Sequence, residues 1–305
     1  MEVLSKCTIC GSSRVREVGR GGDLSFSHDE IFVFSVCLKC HVFFLSTRPR
    51  EDEAYKFYGV EYDPYTASYT KLSELFIRLR TLRELDSIVR FLPPRDKKRL
   101  LEIGSSWGKY LLLARNERNF EVVGVEMSNA MCQKGREEHG LLIYPGDLRN
   151  QDFSPSEFDV VVMNHVLEHL YHPKETIAMI AKILNKRGVL LLRTPVVGTL
   201  EQKIFGKYWH AYEFPRHVTL FSEKNLVDLL EQQGFEIKKI RYEGVPNNLI
   251  LSFKNFFQMK LGSGVIANLF SIKNPLMLAL FSPLSFLLGF FHQSGRIMII
   301  AQKHK

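Results

Sequence analysis

Two short runs in the middle of this chain contain only apolar residues. They are Val160-Val-Val-Met163 and Val189-Leu-Leu-Leu192. A strand without a polar side chain on either face must be covered on both faces, which is typical of a parallel sheet between two layers of helices. Strand-like and helix-like segments alternate from Arg99 onward, so the pattern predicts an α/β fold with a doubly wound parallel sheet.

Hydrophobic periodicity divides this part of the chain into alternating elements. The predicted strands are Leu100–Ile103, Glu121–Val125, Leu141–Tyr144, Asp159–Met163, Val189–Arg193, Phe235–Tyr242 and Arg296–Gln302. The predicted helices are Lys109–Arg118, Asn129–His139, Lys174–Leu184 and Glu223–Gln233. In such a sheet a ligand lies beyond the carboxyl ends of the strands, so the residues that follow each strand are the candidates for a site.

The N-terminal segment carries two C-x-x-C pairs, which are Cys7, Cys10, Cys37 and Cys40. Each pair can form a tight turn that directs two sulfurs to one point, and two such turns complete a tetrahedral thiolate site. We therefore expect a structural Zn²⁺ ion in a zinc ribbon over residues 1–48. The N-terminus has no apolar core of signal-peptide length, so a cytoplasmic chain is expected, and reducing conditions there disfavour disulfides.

Residues 49–98 are predicted to connect the ribbon to the main domain, which spans residues 99–305. The first part is rich in tyrosine (Tyr55, Tyr58, Tyr62, Tyr65 and Tyr69) and is either a loop over the active site or a packing linker. Apolar residues then recur at three- and four-residue spacing from Leu72 to Val89, which predicts an amphipathic helix that ends before Pro93-Pro94.

The first predicted strand runs into the turn Gly104-Ser-Ser-Trp-Gly108 before a helix. Backbone N–H groups of such a turn can contact a polar ligand closely, and glycines permit the approach. Later strands end near Glu126, Asp147 and Asn164. The G-x-G-x-x-G spacing expected of a nicotinamide fold is absent from the turn.

Together these segments resemble the class I S-adenosylmethionine-dependent methyltransferases, over roughly Arg99 to Gly244 and again from Arg296. The segments that carry the resemblance are Leu101-Glu-Ile-Gly-Ser-Ser-Trp-Gly108, Gly124-Val-Glu126, Gly146-Asp147 and Phe158-Asp-Val-Val-Val-Met-Asn-His-Val-Leu-Glu-His169. The resemblance implies a Rossmann-like sheet of seven strands and S-adenosyl-L-methionine as the methyl donor.

The same resemblance implies the cofactor contacts. The turn that follows Glu102 (Gly104, Ser105, Ser106, Trp107 and Gly108) would hold the methionine portion. Glu126, followed by Met127, would hold the ribose, Asp147 with Leu148 the adenine, and Asn164 would border the cofactor. Ser106 departs from the family pattern, which has glycine there; a left-handed serine would cost about 1–2 kcal/mol.

Most oxygen and carbon acceptors of a methyl group must lose a proton, so a general base is expected after the fourth or fifth strand. His165 follows the fourth strand. The segment Tyr208–His217 follows the fifth and is dense in titratable groups. We predict His210 as the base, Glu213 as the residue that orients it, and Arg216 as the receiver of an anionic part of the substrate.

A zinc ribbon, a tyrosine-rich segment and a Trp-His loop together resemble the sugar C-methyltransferases and related enzymes of surface-polysaccharide pathways. This implies a sugar or a lipid-carrier-linked glycan as acceptor. Alternatives are a lipid- or quinone-like small molecule, RNA, or a scaffold without activity. The formal net charge of +8 does not choose among them, and the ribbon has no arginine-rich run that would favour nucleic acid.

An apolar insertion over residues 245–295 separates the last two predicted strands. An unstructured loop of that length would be unusual, so helices are expected. Pro283 interrupts its longest apolar run, and the last strand must return to the sheet, which excludes a single membrane crossing. Peripheral contact with the inner face of the membrane, a lid over the acceptor and a homodimer contact remain as alternatives.

Overall fold

A computed structural model describes residues 1–23, 30–58 and 71–304 of the chain. Three residues of the predicted tyrosine-rich linker, Tyr62, Tyr65 and Tyr69, lie outside the described residues. Residues 51–57 of the linker form a short 3₁₀ helix.

The N-terminal lobe is an antiparallel sheet. Its strands are β1 (Glu2–Val3), β2 (Val15–Gly21), β3 (Phe32–Cys37) and β4 (Phe43–Arg48), in the spatial order β1-β4-β3-β2. The four cysteines lie in two turns, one before β2 and one between β3 and β4.

The main domain begins with helix α1 (Lys71–Val89). The next elements are β5 (Lys98–Ile103), α2 (Lys109–Arg118), β6 (Phe120–Glu126), α3 (Asn129–His139), β7 (Leu142–Pro145), β8 (Phe158–Asn164), α4 (Pro173–Ile183) and β9 (Leu184–Pro195). The chain then forms α5 (Leu200–Phe205), β10 (Thr219–Leu220), α6 (Glu223–Glu231) and β11 (Phe235–Tyr242). It ends with α7 (Pro246–Leu261), α8 (Gly264–Leu269), α9 (Pro275–Phe290) and β12 (Arg296–Lys303).

Seven strands form the main sheet in the order β11-β12-β9-β8-β5-β6-β7. Strands β5 to β9 are parallel, and β12 is antiparallel to both β9 and β11. The predicted seven-stranded, Rossmann-like α/β fold is therefore confirmed. Strand β9 starts at Leu184, before the predicted Val189, and a register shift relative to β8 absorbs the additional residues.

Both faces of the central strands are covered, as their composition requires. Val160 and Val162 of β8 pack in one apolar cluster with α1 and α2, whereas Val161 and Met163 pack in another with α4 and α6. All four side chains are fully buried. The predicted amphipathic helix is present as α1, but its buried face includes Glu84, because that carboxylate pairs with an arginine of the sheet.

The N-terminal lobe is joined to the main domain by paired strands and by a buried ion pair. β10 pairs antiparallel with β4. The guanidinium of Arg216, whose side chain is 1% exposed, donates to both carboxylate oxygens of Asp23 at 2.9 and 3.0 Å. The main domain thus adds a strand, β10, to the sheet of the N-terminal lobe, and the N-terminal lobe supplies Asp23 to neutralise Arg216 of the main domain.

The insertion between β11 and β12 is helical, as predicted. Helix α9 continues through Pro283, so the expected interruption does not occur. Among the described helices, none combines the length and the apolar character that a membrane crossing requires.

We predict that Asp23→Asn lowers the free energy of unfolding by about 2 kcal/mol, because the buried guanidinium of Arg216 loses its charged hydrogen-bond acceptor in the N-terminal lobe and keeps Glu213. Urea unfolding followed by circular dichroism measures the change. Lys224→Gln, which removes the exposed Lys224–Asp228 pair, serves as the control and should have little effect. Equal stability of Asp23→Asn and the natural sequence would show that the lobes do not depend on this contact.

Candidate active site

The turn after β5 has a backbone that only small residues tolerate. Gly104 and Gly108 have φ of +70° and +92°. A Cβ at Gly104 would lie 2.4 Å from Cγ2 of Val166, and one at Gly108 would lie 2.2 Å from Cδ1 of Leu141. Ser106 is left-handed, with φ of +48°. The turn therefore keeps its glycine-like conformation although serine replaces the usual middle glycine.

The carboxylate of Glu126, at the end of β6, holds this turn by accepting a hydrogen bond from its backbone. Its Oε2 accepts from the backbone N–H of Ser106, and its Oε1 accepts from that of Ser128, both at 2.8 Å. The next residue, Met127, is 68% exposed. A buried carboxylate beside an exposed apolar side chain gives this strand end one polar and one apolar contact for a ligand.

Three buried polar atoms near the turn have no hydrogen-bond partner in the described parts of the chain. They are Oε2 of Glu102, Oγ of Ser106 and the hydroxyl of Tyr110. Burial and the charge of Glu126 raise the pKa of Glu102 well above its ordinary value, although Asn164 hydrogen-bonds to the same carboxyl. Unpaired buried polar groups are costly, so this cradle fits a polar ligand such as the methionine end of the expected cofactor.

The remaining predicted cofactor residues are more engaged with the protein. Asp147 accepts from the backbone N–H of Arg149 at 2.7 Å and also binds its guanidinium. The side chain of Leu148 is buried in the sheet core, so only its backbone is available to a ligand. The indole of Trp107 packs on α3 against His139 and Lys134. Ser105 is buried below the turn.

His165 directly precedes Val166, whose side chain packs against Gly104 of the turn Gly104–Gly108. Its Nδ1 is 3.2 Å from Oε1 of Glu168, whose Oε2 accepts from the hydroxyl of Thr194 at 2.9 Å. Glu168 is fully buried, whereas about a third of the His165 side chain is exposed. The carboxylate of Glu168 thus holds Nδ1 of His165, and Nε2 of the same ring points away from Glu168.

The electrostatic surroundings keep this pair in a defined charge state. Burial and the positive charge of Arg296 lower the pKa of His165 to about 4. Burial alone would raise the pKa of Glu168, but the hydrogen bond and the charge of His165 hold it at about 2. At neutral pH the pair is therefore a neutral imidazole beside a carboxylate, as a general base requires.

Two further histidines, His169 and His217, lie next to the His165–Glu168 pair, with ring centroids 4.7 Å apart. The sequence analysis did not assign them a role in the site. Nδ1 of His169 is 3.0 Å from the carbonyl of Arg216, and Nδ1 of His217 is 2.7 Å from that of Ala211. Because a carbonyl oxygen only accepts, both rings carry a proton on Nδ1. The hydroxyl of Tyr58 also lies 3.0 Å from Nδ1 of His169. The four-residue spacing from His165 to His169 was the sequence feature that could have indicated that His169 belongs to the site.

Glu168, His169 and His217 offer ligand atoms that lie within 4.8 Å of one another, a donor set that metals use. Both oxygens of Glu168 already accept hydrogen bonds from His165 and Thr194, however. We therefore describe this trio as a polar wall of the site.

The structure places His210 near this wall but changes the predicted role of its neighbours. The backbone N–H of His210 donates to Oγ of Ser252 in α7 at 2.9 Å, and burial lowers the pKa of its ring to about 4. Glu213 accepts from Nε of Arg216 at 3.0 Å and lies 3.4 Å from Nε2 of His217. Its effect on the His210 ring is through its charge.

The prediction that Arg216 receives an anionic part of the substrate is wrong. Its guanidinium is buried and binds Asp23 and Glu213. Arg296, at the start of β12, is half-buried, and its hydrogen bond to Oδ1 of Asn248 is long, at 3.4 Å. Within the described residues no carboxylate lies in ion-pair distance of Arg296. Burial lowers its pKa to about 10, although Glu243 raises it, so the group stays positively charged.

The four N-terminal cysteines converge on one point. Sγ of Cys7 lies 3.6 Å from Sγ of Cys40, and Sγ of Cys10 lies 3.5 Å from Sγ of Cys37. Four thiolates about 2.3 Å from one metal ion would be about 3.8 Å apart. Backbone N–H groups also donate to Cys7 and Cys37 Sγ. The geometry therefore fits a tetrahedral thiolate metal site.

The sheet order and the strand-end residues define a class I, S-adenosylmethionine-dependent methyltransferase domain. The chain belongs to the family described as a methyltransferase domain, which matches residues 76–240.

Individual relatives are more distant. An uncharacterised protein of Methanocaldococcus jannaschii is 25% identical over 177 residues, which are 57% of this chain and 80% of that protein. Malonyl-acyl-carrier-protein O-methyltransferase of Paenibacillus sp. is 26% identical over 151 residues, 45% of this chain and 55% of that enzyme.

Solved structures share the fold at low sequence identity. A SAM-dependent methyltransferase from Archaeoglobus fulgidus has a TM-score of 0.51 and 18% identity, covering 81% of this chain and 99% of its own. Phosphoethanolamine N-methyltransferase 2 of Haemonchus contortus, in complex with S-adenosyl-L-methionine, has a TM-score of 0.50 and 19% identity, covering 73% and 53%.

We predict that Glu126→Ala weakens the binding of S-adenosyl-L-methionine at least about 100-fold. The variant loses the carboxylate that orders the turn and that is predicted to bind the ribose, and hydrogen bonds to a charged group contribute about 1.5–3 kcal/mol each. Isothermal titration calorimetry measures the affinity. Glu121→Ala, near the other end of β6, is the matched control; an unchanged affinity of Glu126→Ala would refute the cofactor assignment.

Proposed function

We propose that this protein transfers the methyl group of S-adenosyl-L-methionine to a sugar or to a lipid-carrier-linked glycan intermediate that bears an anionic group. One observation supports the proposal: Glu168 orients the imidazole of His165 at 3.2 Å, and the next residue, Val166, packs against Gly104 of the turn. The positive charge of Arg296 also contributes to the lowered pKa of His165. A base and an unpaired cation beside the methyl donor suit an acceptor that must lose a proton and that carries a phosphate or carboxylate.

The cofactor, when bound, supplies an activated methyl group on a sulfonium. The turn Gly104–Gly108 and Glu126 would hold and orient it. Nε2 of His165 would accept the proton that the acceptor loses on methylation. Glu168 stabilises the imidazolium that results, because its carboxylate accepts from Nδ1.

His165 is a better base than His210 in this arrangement. In the described part of the chain, the ring of His210 has no carboxylate partner within hydrogen-bond distance, whereas His165 is oriented by Glu168. His210 is therefore assigned to the wall of the acceptor site. Arg296 is assigned the anionic group that was first predicted for Arg216.

We predict that incubation with methyl-labelled S-adenosyl-L-methionine and a cell extract transfers label to a sugar-containing fraction. His165→Ala should lower the rate about 10²–10⁴-fold, the usual contribution of a general base, and leave cofactor affinity unchanged. Because the base is neutral above its pKa of about 4, turnover should stay constant down to about pH 5 and fall below that.

His304→Ala, at the exposed C-terminal end, is the control for that experiment. Label in RNA, or in lipid without sugar, would refute the acceptor class. Cofactor binding without transfer to any fraction would favour a scaffold without activity, and full activity of His165→Ala would remove this residue from the mechanism.

We further propose that the four N-terminal cysteines hold one structural Zn²⁺ ion. Four thiolates leave no position for a substrate, so the metal would stabilise the lobe without taking part in the reaction. The support is the convergence of the four sulfurs and the N–H groups directed at two of them.

We predict one zinc per chain by metal analysis of the purified protein, and loss of that zinc in Cys37→Ser. Cys132→Ser is the matched control, because Cys132 is a buried cysteine whose Sγ contacts backbone carbonyls of β6 and β7. Zinc retained by Cys37→Ser, or none in the natural sequence after metal-supplemented expression, would contradict the assignment.

A further inference from the structure

Helix α9 is apolar on both of its faces. Its buried side chains, which include Phe281 and Leu288, pack against the aromatic core of α5 and α7. The opposite side of the helix, together with Phe291 just after it, carries seven exposed large apolar residues. We call them the α9 ridge: Leu276, Leu280, Leu284, Phe286, Leu287, Phe290 and Phe291. Their exposed fractions run from 47% to 73%. Contiguous exposed apolar surface of this kind marks an interaction site.

Charge in this part of the chain has a single sign. Residues 244–305 contain no aspartate or glutamate but six lysines and arginines. Lys273, just before α9, and Lys260, at the end of α7, are exposed. Nζ of Lys260 also lies 5.0 Å from the ring centroid of Phe256. Apolar side chains accompanied by lysines, in a segment that contains no acidic residue, are typical of helices that lie on anionic membranes.

The same charge pattern disfavours a second copy of the chain as the occupant. In a twofold interface the patch meets itself, so the lysines of residues 244–305 would face like charges without a carboxylate from that segment. An anionic bilayer matches both parts of the surface, because its acyl chains can bury the ridge and its phosphate groups can bind the lysines. With 16 residues, α9 would lie along the surface for about 24 Å.

We propose that the α9 ridge with Lys260 and Lys273 docks this protein on an anionic lipid bilayer, with α9 parallel to the surface. Helix α7 then relates the docked surface to the acceptor side of the site. Its Ser252 accepts from the backbone N–H of His210, and its Asn248 accepts from Arg296. Docking by itself is independent of methyl transfer; only its use in presenting a lipid-carried acceptor rests on the proposed function.

The test is co-sedimentation of the full chain with vesicles of phosphatidylcholine, alone or mixed with phosphatidylglycerol. The natural sequence should partition at least about tenfold more strongly onto the mixed vesicles, and this preference should decrease at high salt. Leu280→Glu/Leu287→Glu should lose binding to both vesicle types. Lys260→Gln/Lys273→Gln should lose the preference for phosphatidylglycerol.

Val3→Glu, which alters an exposed apolar residue of the N-terminal lobe, is the matched control and should bind as the natural sequence does. Calorimetry measures the affinity of each variant for S-adenosyl-L-methionine. An unchanged affinity shows that the variant is folded, and this measurement is independent of vesicle binding. Absence of vesicle binding by the natural sequence would overturn the proposal. So would a dimer, found by light scattering, that Leu280→Glu/Leu287→Glu dissociates while vesicle binding is unchanged.

Discussion

The buried guanidinium of Arg193 is the contact on which the cofactor end of the sheet depends. It is 2% exposed and binds Glu84 of α1 at 2.7 Å and Glu243, just after β11, at 2.8 Å. It also donates to Oδ1 of Asn164, at the end of β8. Removing either carboxylate would leave a buried hydrogen-bond donor of the guanidinium without its charged acceptor. Helix α1, which was predicted to belong to the connecting segment 49–98, is thus bound to the sheet by a buried ion pair, and the family match begins within it, at residue 76.

The parts of the fold that local sequence determines were predicted closely. Helices α2 and α3 occupy the expected ranges because their ends carry local signals, such as the Ser128 N-cap and the left-handed Gly140. Long-range partners leave no such signal. Asp23 and Arg216 are separated by 193 positions, so sequence reasoning could see a cation in a polar loop but not the carboxylate that neutralises it.

The histidine cluster shows a second limit. The density of titratable residues in Tyr208–His217 indicated a site, but the role of each histidine depends on what its ring nitrogens contact. Backbone carbonyl oxygens accept hydrogen bonds from Nδ1 of His169 and of His217, and the carboxylate of Glu168 accepts one from Nδ1 of His165. These contacts come from loops that meet only in the folded chain, so residue type and spacing could not distinguish a base from a wall residue.

The insertion between β11 and β12 contacts two residues of the proposed acceptor site, His210 and Arg296. Removing it would leave β12 able to pair, since its partners in the sheet are β9 and β11. It would, however, free the backbone of His210 from Ser252 and leave Arg296 without Asn248. A guanidinium held by one long hydrogen bond can turn toward an anionic ligand at little cost, whereas Arg216, bound by two carboxylates, cannot. The weak contact at Arg296 is therefore consistent with the role in substrate binding that we propose for it.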